Sequence, residues 1–498
     1  MDTVVLALDC GSHAVRTIAF DTHTGRSHLC ASEDIPLSFP QPGWVEVDPE
    51  VVASSAIRVV RSALDWAGET NREVVAIGIA NMRETAFAWS KSRQQPLYRG
   101  IMWMSQQSTP IVDRWRREGL DPLIRQRTGL SNDAFFFGSK VAWLLQQVPR
   151  VSAAADEADL SVGTVDSWLI NRLTGGEVHR TDISNASRTQ LLNLASGEWD
   201  PELCSALGVP IQSLPEVMPS MASYGVTHAA VCGQEIQITG VMADQQASLF
   251  GHGCEKPGTA KATFGTSGVV SLNTGDEMPL RDGLVTSIGW CDGQSPIVYE
   301  IEGSAFHSGY TMSWLSERTG HPVRFDIDSE PPDVAADDRV YVLPSFSVMG
   351  APRWPQRRGA AITGLAMDTT TSDLMRAGLE AMAFQAYDLF AAIGPAADDT
   401  EEVNVDGGGA SNDFLCRLLA DLLGRDVVRP DIRELTSVGA AKAALRGLGQ
   451  HPELYWAQDR SAAERFTPRP TSTYARDGYQ RWVELIEAIL VEPTAARI

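Results

Sequence analysis

The sequence lacks any apolar run near the ~20 residues that a helix needs to span a bilayer. Its N-terminus has no basic segment followed by a long apolar stretch, and residues 4–8 are only long enough for a strand, so we expect no signal peptide. The seven cysteines are scattered, with no CxxC pair and no His/Cys cluster at zinc spacing, which favours reduced thiols. We therefore expect a cytoplasmic protein without a membrane partner.

Positive charge is also scarce, because 41 Lys and Arg face 63 Asp and Glu and the net charge is −22. Such an acidic surface repels nucleic acid and anionic lipid, so we expect no nucleic-acid partner. A small anionic ligand stays compatible, since backbone amides and a metal ion can hold phosphate locally. At 498 residues with 43% hydrophobic residues, the chain is an ordinary globular protein that is too long for one core.

The first half of the chain alternates strands and helices. Residues 4–9 predict a buried strand that ends in Asp9, and residues 15–21 predict the return strand after a tight turn. Residues 48–67 have helical periodicity, with Asp48 as a suitable N-cap. The alternation continues to about residue 250 and predicts an α/β domain.

The second half opens in a similar way. Residues 260–272 predict a hairpin around a glycine-bearing turn, which hints at a second domain of related topology. A long helix follows to residue 393 with Ser372 as its expected cap, and residues 402–406 predict a strand. Glycines 407–409 then open a helix that we expect to start near Ser411.

Three glycine-bearing turns follow strands, at residues 9–12, 265–268 and 406–412. Glycine lets backbone amides approach a phosphate or sugar, but a single such turn is more often only structural. Three of them at strand ends favour a nucleotide site. The sequence has no GxxxxGK[ST] motif, which excludes a P-loop enzyme.

Two carboxylates and one charged pair are candidates for chemistry. Asp9 at a strand end suits magnesium, although it could merely cap its turn. Asp244 follows a buried strand and could be a general base or the N-cap of the next helix. Arg83 and Glu84 could hold a polyhydroxy ligand, or could form a surface ion pair.

Asn81-Met82-Arg83-Glu84-Thr85 resembles the NQRET motif of the FGGY family of carbohydrate kinases. Glycerol kinases are the most similar members of that family. The match is collinear from about residue 4 to residue 450. The other matching segments are residues 181–189, 244–251, 302–315, 351–354, 406–408 and 429–441.

The resemblance implies a fold and an activity. We expect two actin-like (ribonuclease H-like) α/β domains with a cleft between them, an N-terminal polyol-binding domain over residues 1–250 and a C-terminal adenosine-binding domain over residues 251–498. The implied activity is an ATP-dependent kinase that uses Mg2+ and phosphorylates a hydroxyl of glycerol or a close relative. It also implies a homo-oligomer, either a dimer or a tetramer.

The resemblance further implies roles for individual residues. Asp244 would be the general base, and Asp9 would help to position magnesium. The residues expected to hold the polyol are Arg83, Glu84, Trp103, Phe135, Asp244, Gln245 and Val269. Those expected to bind ATP are Ser12, His13, Arg16, Thr266, Gly309, Ser313, Gly408 and Asn412.

The chain also departs from the glycerol kinase pattern around the expected pocket. Phe135 stands where the family has a tyrosine, and Val269 stands where it has a phenylalanine. These changes predict a pocket that is larger and less polar on one side, so a tetritol, a ketopentose or a substrate with a deoxy end is an alternative to glycerol. A metabolite-sensing homologue without catalysis and a conformational-switching ATPase are rivals. Further departures are His13, Met82, Met104, Ser105 and Phe137.

One regulatory property follows from residues 229–235. Glycerol kinases regulated by fructose 1,6-bisphosphate have a glycine-rich loop with an arginine at this place. Here the loop has no arginine and carries Glu235, which would repel phosphates. We therefore expect no inhibition by that sugar bisphosphate.

Overall fold

The computed structural model describes residues 2–320, 335–346, 349–353, 359–432, 434–452, 463–469 and 473–490. The chain forms two compact units. Unit 1 comprises Met1–Gly253, Thr286–Tyr299 and Glu434–Gln458. Unit 2 comprises Cys254–Val285, Glu300–Arg433 and Asp459–Ile498. Each unit is therefore assembled from segments that are far apart in the sequence.

The strands of the described residues are β1 Asp2–Cys10, β2 Ala14–Asp21, β3 Ser27–Asp34, β4 Leu37–Ser38, β5 Glu46–Val47, β6 Arg72–Asn81, β7 Phe87–Ser90, β8 Gly100–Ile101, β9 Leu160–Gly163, β10 Arg180–Asp182, β11 Leu192–Asn193, β12 Glu198–Trp199, β13 Glu216–Met218, β14 Gly225–Val226, β15 Gln237–Ala243, β16 Ala260–Phe264, β17 Gly268–Gly275, β18 Val285–Trp290, β19 Val298–Ala305, β20 Tyr341–Leu343, β21 Ala361–Thr363, β22 Glu402–Asp406, β23 Asp426–Arg429 and β24 Glu464–Phe466.

The helices are α1 Pro49–Glu69, α2 Thr109–Arg117, α3 Asp121–Thr128, α4 Phe137–Gln147, α5 Pro149–Asp156, α6 Val165–Leu173, α7 Ile183–Ala186, α8 Pro201–Leu207, α9 Ala229–Cys232, α10 Asp244–Gly251, α11 Ser308–Thr319, α12 Thr371–Ile393, α13 Asp413–Leu423, α14 Leu435–Gly447 and α15 Tyr474–Leu490. Short 3-10 turns lie at Ile211–Ser213, Ala336–Asp338, Gly394–Ala397 and Gly408–Ser411. Within the described ranges, none of the helices combines the length and the apolar character that crossing a membrane requires.

The main sheet of unit 1 brings three strand ends together. Its strand order is β14-β15-β6-β1-β2-β3, with β1 antiparallel to β2 and parallel to β6, and with β6 parallel to β15. Asn81 at the end of β6 is the register partner of both Cys10 and Ala243. Because parallel strands end at the same edge of a sheet, Asp9, Arg83 and Asp244 follow or end neighbouring strands at one edge.

Helix α14 packs on this sheet through two strand glycines. A Cβ atom at Gly78 would lie 2.1 Å from the carbonyl oxygen of Ala440, and one at Gly240 would lie 2.2 Å from the backbone nitrogen of Ala444. Neither position can carry a side chain unless α14 moves away. The glycines therefore allow a C-terminal helix to complete the core of unit 1.

In unit 2, the strands β19, β17, β16, β22, β23 and β24 are neighbours in that order, with β16 and β17 antiparallel and β16 and β22 parallel. Helix α12 supplies a hydrophobic face with Phe384 and Leu389, which packs with Val270 and Leu272 in one core cluster. Each unit is a mixed α/β structure, so the predicted fold class is confirmed.

The local predictions are confirmed in most places. The strands over residues 4–9 and 15–21 and the helix over residues 48–67 are present, and Asp48 Oδ1 accepts a hydrogen bond from the Glu50 amide at 3.0 Å.

One helix cap was predicted wrongly. The cap of α12 is Thr370 and not Ser372, because Thr370 and Asp373 exchange hydrogen bonds as a capping box. The helix expected near Ser411 is present as α13, which begins at Asp413 after Asn412 as its cap.

Candidate active site

The carboxylate at the end of β1 lies beside an arginine. Asp9 is buried, and its Oδ2 accepts hydrogen bonds from Arg16 Nη2 at 2.7 Å and from Nε at 2.9 Å. Arg16 Nη1 also lies 2.8 Å from Glu434 Oε2, so the guanidinium joins two carboxylates. Both of these hydrogen bonds use Oδ2, and the described residues provide no partner for Oδ1.

The turn after β1 connects with an aromatic side chain. Gly11 N donates to Ala14 O at 2.9 Å and closes the turn. Ser12 Oγ accepts a hydrogen bond from Trp103 Nε1 at 2.9 Å, while His13 is exposed. The turn expected to hold phosphate and the tryptophan expected to hold the polyol are thus in direct contact.

Four charged side chains form one cluster in unit 1. Arg83 Nε lies 3.3 Å from Asp244 Oδ1 and 3.9 Å from Glu84 Oε1, and Arg188 Nε donates to Glu84 Oε1 at 2.6 Å. Arg83 and Glu84 are only 7% and 2% exposed. The alternative of a surface ion pair is therefore wrong.

Glu84 also has an unusual backbone. Its φ of 58° lies in the left-handed region, which a residue other than glycine enters at a free-energy cost of about 1–3 kcal/mol. The carboxylate that this conformation presents is held by Arg188. Such strain clusters at ligand sites, where the surrounding structure enforces it.

Aromatic rings form one side of the cluster. Trp103 and Phe135 pack edge to face with ring centroids 5.6 Å apart, and Phe135 packs against Phe136 at 5.2 Å. The guanidinium of Arg188 lies over the Phe136 ring at 5.5 Å. The Trp103–Phe135 pair, which we call the aromatic wall, therefore adjoins the residue that binds Glu84.

Asp244 is the first residue of α10 and not its N-cap, which is Ala243. Its Oδ1 accepts a hydrogen bond from the Gln245 amide at 2.7 Å, and its side chain is 29% exposed. Gln245 follows in the first turn of α10 and is half-buried. A partly exposed carboxylate fixed by an arginine and a backbone amide can accept a proton from a bound hydroxyl.

A buried polar chain fixes the start of α10. Asp182 Oδ1 accepts from Ser184 Oγ and from the Asn185 amide at 2.9 Å, and Ser184 Oγ accepts from the Ala243 amide at 3.0 Å. Sequence reasoning assigned no role to Asp182, Ser184 or Arg188, although all three lie in the segment 181–189 that carries the family resemblance. That segment was the available signal.

Burial raises the pKa of the Asp182 carboxyl from 3.8 to about 7. The folded protein then keeps a proton that the unfolded chain loses, so the free energy of unfolding falls as pH rises from about 4 to 7. Asp182→Asn cannot ionise, so we expect its free energy of unfolding to fall less steeply with pH than that of the wild type. The two slopes should differ by up to about 1.4 kcal/mol per pH unit. Urea unfolding of both proteins at pH 5, 6, 7 and 8 checks this, and equal slopes would contradict it.

In unit 2, the turn after β16 is tied to the start of α11. Gly309 N donates to Gly265 O at 3.1 Å, and Tyr310 N donates to Thr266 O at 3.1 Å. A Cβ at Gly309 would lie 2.2 Å from Gly265 O, so only glycine allows this approach. Thr266 lies in this turn and Ser313 lies on α11, and both are exposed.

The other predicted adenosine residues follow β22. Gly408 is exposed, and a Cβ placed there would meet no atom within 4 Å. Asn412 is fully buried, and its Oδ1 accepts from the Leu415 amide at 2.8 Å as the cap of α13. Their place beside adenosine stays a prediction.

Val269 lies on β17 in the interior of unit 2. It lines a small pocket with Phe264, Ser308 and Gln385, among other residues. The charged cluster in unit 1 therefore does not bear on Val269, and its contact with the polyol stays a prediction.

The remaining departures from the family pattern have varied positions. Met82 and Phe137 are buried in hydrophobic clusters of unit 1, and Ser105 Oγ accepts from the Val45 amide at 3.0 Å. These three therefore support the core, while Phe135 forms the aromatic wall together with Trp103. Trp354, part of the segment 351–354, lies outside the described residues.

Two family models match consecutive parts of the chain. The N-terminal domain of the FGGY family of carbohydrate kinases matches residues 4–251, and the C-terminal domain of the same family matches residues 260–448.

The chain is similar to glycerol kinases over nearly its whole length. It is 39% identical to the glycerol kinase of Chromobacterium violaceum, with 98% of each chain covered. It is 41% identical to the glycerol kinase of Alkalilimnicola ehrlichii, with 93% of this chain and 94% of the relative covered.

Solved structures share the fold. The structure of Plasmodium falciparum glycerol kinase with ADP has a TM-score of 0.90 at 25% identity and covers 99% of both chains. A xylulose kinase from Rhodospirillum rubrum has a TM-score of 0.83 at 22% identity, covering 97% of this chain and 98% of the other. The predicted actin-like α/β fold is thereby confirmed.

Proposed function

Because this chain belongs to the FGGY family of carbohydrate kinases, we propose that it transfers the γ-phosphoryl group of ATP to a hydroxyl of a small polyol, either glycerol or a close relative. The observation that supports this most is the charged cluster in unit 1. Arg83 and Glu84 present a buried donor and a buried acceptor, and Asp244 lies 3.3 Å from Arg83. A polyol needs such fixed donors and acceptors, and phosphoryl transfer needs such a base.

In this proposal, Asp244 accepts the proton of the substrate hydroxyl. The hydroxyl oxygen forms a bond to the γ-phosphorus while the bond from that phosphorus to the bridging oxygen of ADP breaks. Arg83 orients the carboxylate of Asp244, and the aromatic wall shields one side of the substrate from water. Trp103 also fixes Ser12, so polyol and phosphate are held by groups in contact.

The donor set at Asp9 suits magnesium. One carboxylate oxygen is open, and in the described part of the chain no group of three or more His, Cys, Asp or Glu residues could hold a metal ion. Magnesium commonly takes one or two carboxylates together with waters and substrate phosphates. When bound, it would neutralise charge on the transferred phosphate, while Arg16 would orient Asp9 and reach the phosphates.

We propose the remaining nucleotide contacts and the domain roles from the membership of the chain in the FGGY family. Ser12 and His13 would face the phosphates, and residues 1–250 would form the polyol-binding domain. Residues 251–498 would bind the adenosine. The residues of that half proposed for ATP are Thr266, Gly309, Ser313, Gly408 and Asn412.

The test is ATP consumption by the purified enzyme with a panel of glycerol, tetritols and ketopentoses, scored as kcat/KM. We expect turnover that depends on a polyol. Phe135 lacks the hydroxyl of the family's tyrosine, which supports a substrate with a less polar end; a clear preference for glycerol would contradict that refinement alone. No stimulation by any member would overturn the kinase proposal and favour a metabolite sensor.

Three further sequence predictions stay predictions. The loop 229–235 lacks an arginine, so fructose 1,6-bisphosphate should not inhibit the enzyme; dose-dependent inhibition would contradict this. A homo-oligomer, dimer or tetramer, is expected and can be measured by light scattering. A cytoplasmic location is the third.

A further inference from the structure

One buried lysine of unit 1 lies behind the aromatic wall. Lys140 is in the first turn of α4 and has no exposed surface. Its Nζ donates hydrogen bonds to the backbone carbonyls of three consecutive residues, Ala134 at 2.8 Å, Phe135, and Phe136 at 3.1 Å. An ammonium group has three N–H donors, so all of them are used on this one loop.

Burying a lysine at this position costs free energy, so we expect a compensating role in the loop that it contacts. A buried cation loses its hydration, and the start of a helix is the positive end of its dipole. Burial lowers the pKa of Lys140 to about 7, while Glu84 and Asp133 oppose that shift. A methionine could fill the same space without this penalty. What lysine adds is the set of three hydrogen bonds.

The loop that Lys140 holds carries the aromatic wall. Phe135 packs on Trp103, and Phe136 lies under the guanidinium of Arg188. Arg188 in turn binds Glu84. A displacement of this loop would therefore move the Phe135 ring and disturb the support of Glu84.

We propose that Lys140 is a positioning residue that sets the width of the polyol subsite by fixing the Phe135 ring against Trp103. The inference rests on the proposed function, because the aromatic wall matters only if it holds the substrate. Since its three donors are bound to carbonyls, Lys140 acts on substrate binding and not on the transfer step.

The first test is Lys140→Met. We expect the KM for the best polyol to rise about tenfold or more, because three hydrogen bonds to the loop are lost. The kcat and the KM for ATP should stay within about threefold, since only ground-state polyol binding changes. Lys91→Met is the matched control, because Lys91 Nζ donates to one carbonyl, that of Gln212, at 3.0 Å; its kinetics should match the wild type.

A double-mutant cycle tests whether Lys140 affects polyol binding through Phe135. If Lys140 acts through Phe135, then Lys140→Met should raise the polyol KM by no more than about twofold in a Phe135→Leu background. Additive effects of the two substitutions would overturn the inference. So would a Lys140→Met enzyme with the wild-type polyol KM.

The pH profile gives a readout that works even where Lys140→Met does not fold. Above about pH 7 the Lys140 ammonium loses one donor, so the wild-type polyol KM should rise between pH 6 and 8.5. In Lys140→Arg the guanidinium stays charged, and the rise should be absent. The charged groups that face Lys140 are Glu84 and Asp133, and both variants retain them. Identical profiles would overturn the inference.

These outcomes separate two failures. A wild-type enzyme without polyol-dependent turnover contradicts the proposed function itself. An active wild-type enzyme whose Lys140 variants behave as Lys91→Met contradicts only the role of Lys140.

Discussion

Replacing Asp244 by asparagine should lower kcat by about 10²–10⁴-fold, because asparagine cannot accept the proton of the substrate hydroxyl. The two side chains have the same shape, so the oxygen that accepts from the Gln245 amide at 2.7 Å can remain in place. The fold should therefore survive. Measuring ADP release at saturating ATP and polyol gives kcat directly.

The control is Asp113→Asn on α2. Asp113 is an exposed carboxylate paired with Arg116 at 2.9 Å, so it loses a similar charge and a similar ion pair at the surface. Its kcat should equal that of the wild type. If Asp244→Asn is well folded and turns over as fast as this control, another group is the base and the proposed chemistry is wrong.

Replacing Glu84 by glutamine should destabilise the protein by about 3–5 kcal/mol, because it leaves a buried cation without its counter-charge. Arg188 is only 1% exposed and lies 2.6 Å from Glu84. The polyol KM should rise as well, since Glu84 is a proposed acceptor for substrate hydroxyls. Urea unfolding and steady-state kinetics on the same preparation measure the two effects.

Two comparisons isolate the cause. Glu33→Gln breaks a surface pair with Arg58, which is 55% exposed, and should cost at most about 1 kcal/mol. The double variant Glu84→Gln/Arg188→Met removes both charges of the Glu84–Arg188 pair, so it should recover stability but not the polyol KM. A Glu84→Gln variant no less stable than Glu33→Gln would contradict the account of the pair.

The local elements followed from short-range chemistry that a sequence contains. Asp48 before Pro49 marked the start of α1, and the apolar residues before Asp9 marked β1. Where two capping residues stood close together, the pattern was not sufficient. Thr370 and not Ser372 caps α12, because only Thr370 has an acidic partner three residues later.

The candidate site was predicted in part. The sequence pointed to Asp9, Arg83 and Asp244 because each ends or follows a strand, and parallel strands bring such residues to one edge. For Arg83 and Glu84, the local sequence by itself favoured a surface ion pair, and the buried cluster shows that this interpretation is wrong. The charge that compensates the buried Glu84 comes from Arg188, which is 104 residues away in the sequence and has no periodic relation to it.

The sequence by itself determined the α/β class, the strand ends that carry charge and the family resemblance, because these depend on neighbouring residues and motif spacing. Only the tertiary structure decided that α14 completes unit 1, that Arg188 holds Glu84 and that Lys140 holds the Phe135 loop. Those three facts depend on burial and on contacts between distant segments. Such contacts form when the chain folds, and no local pattern encodes them.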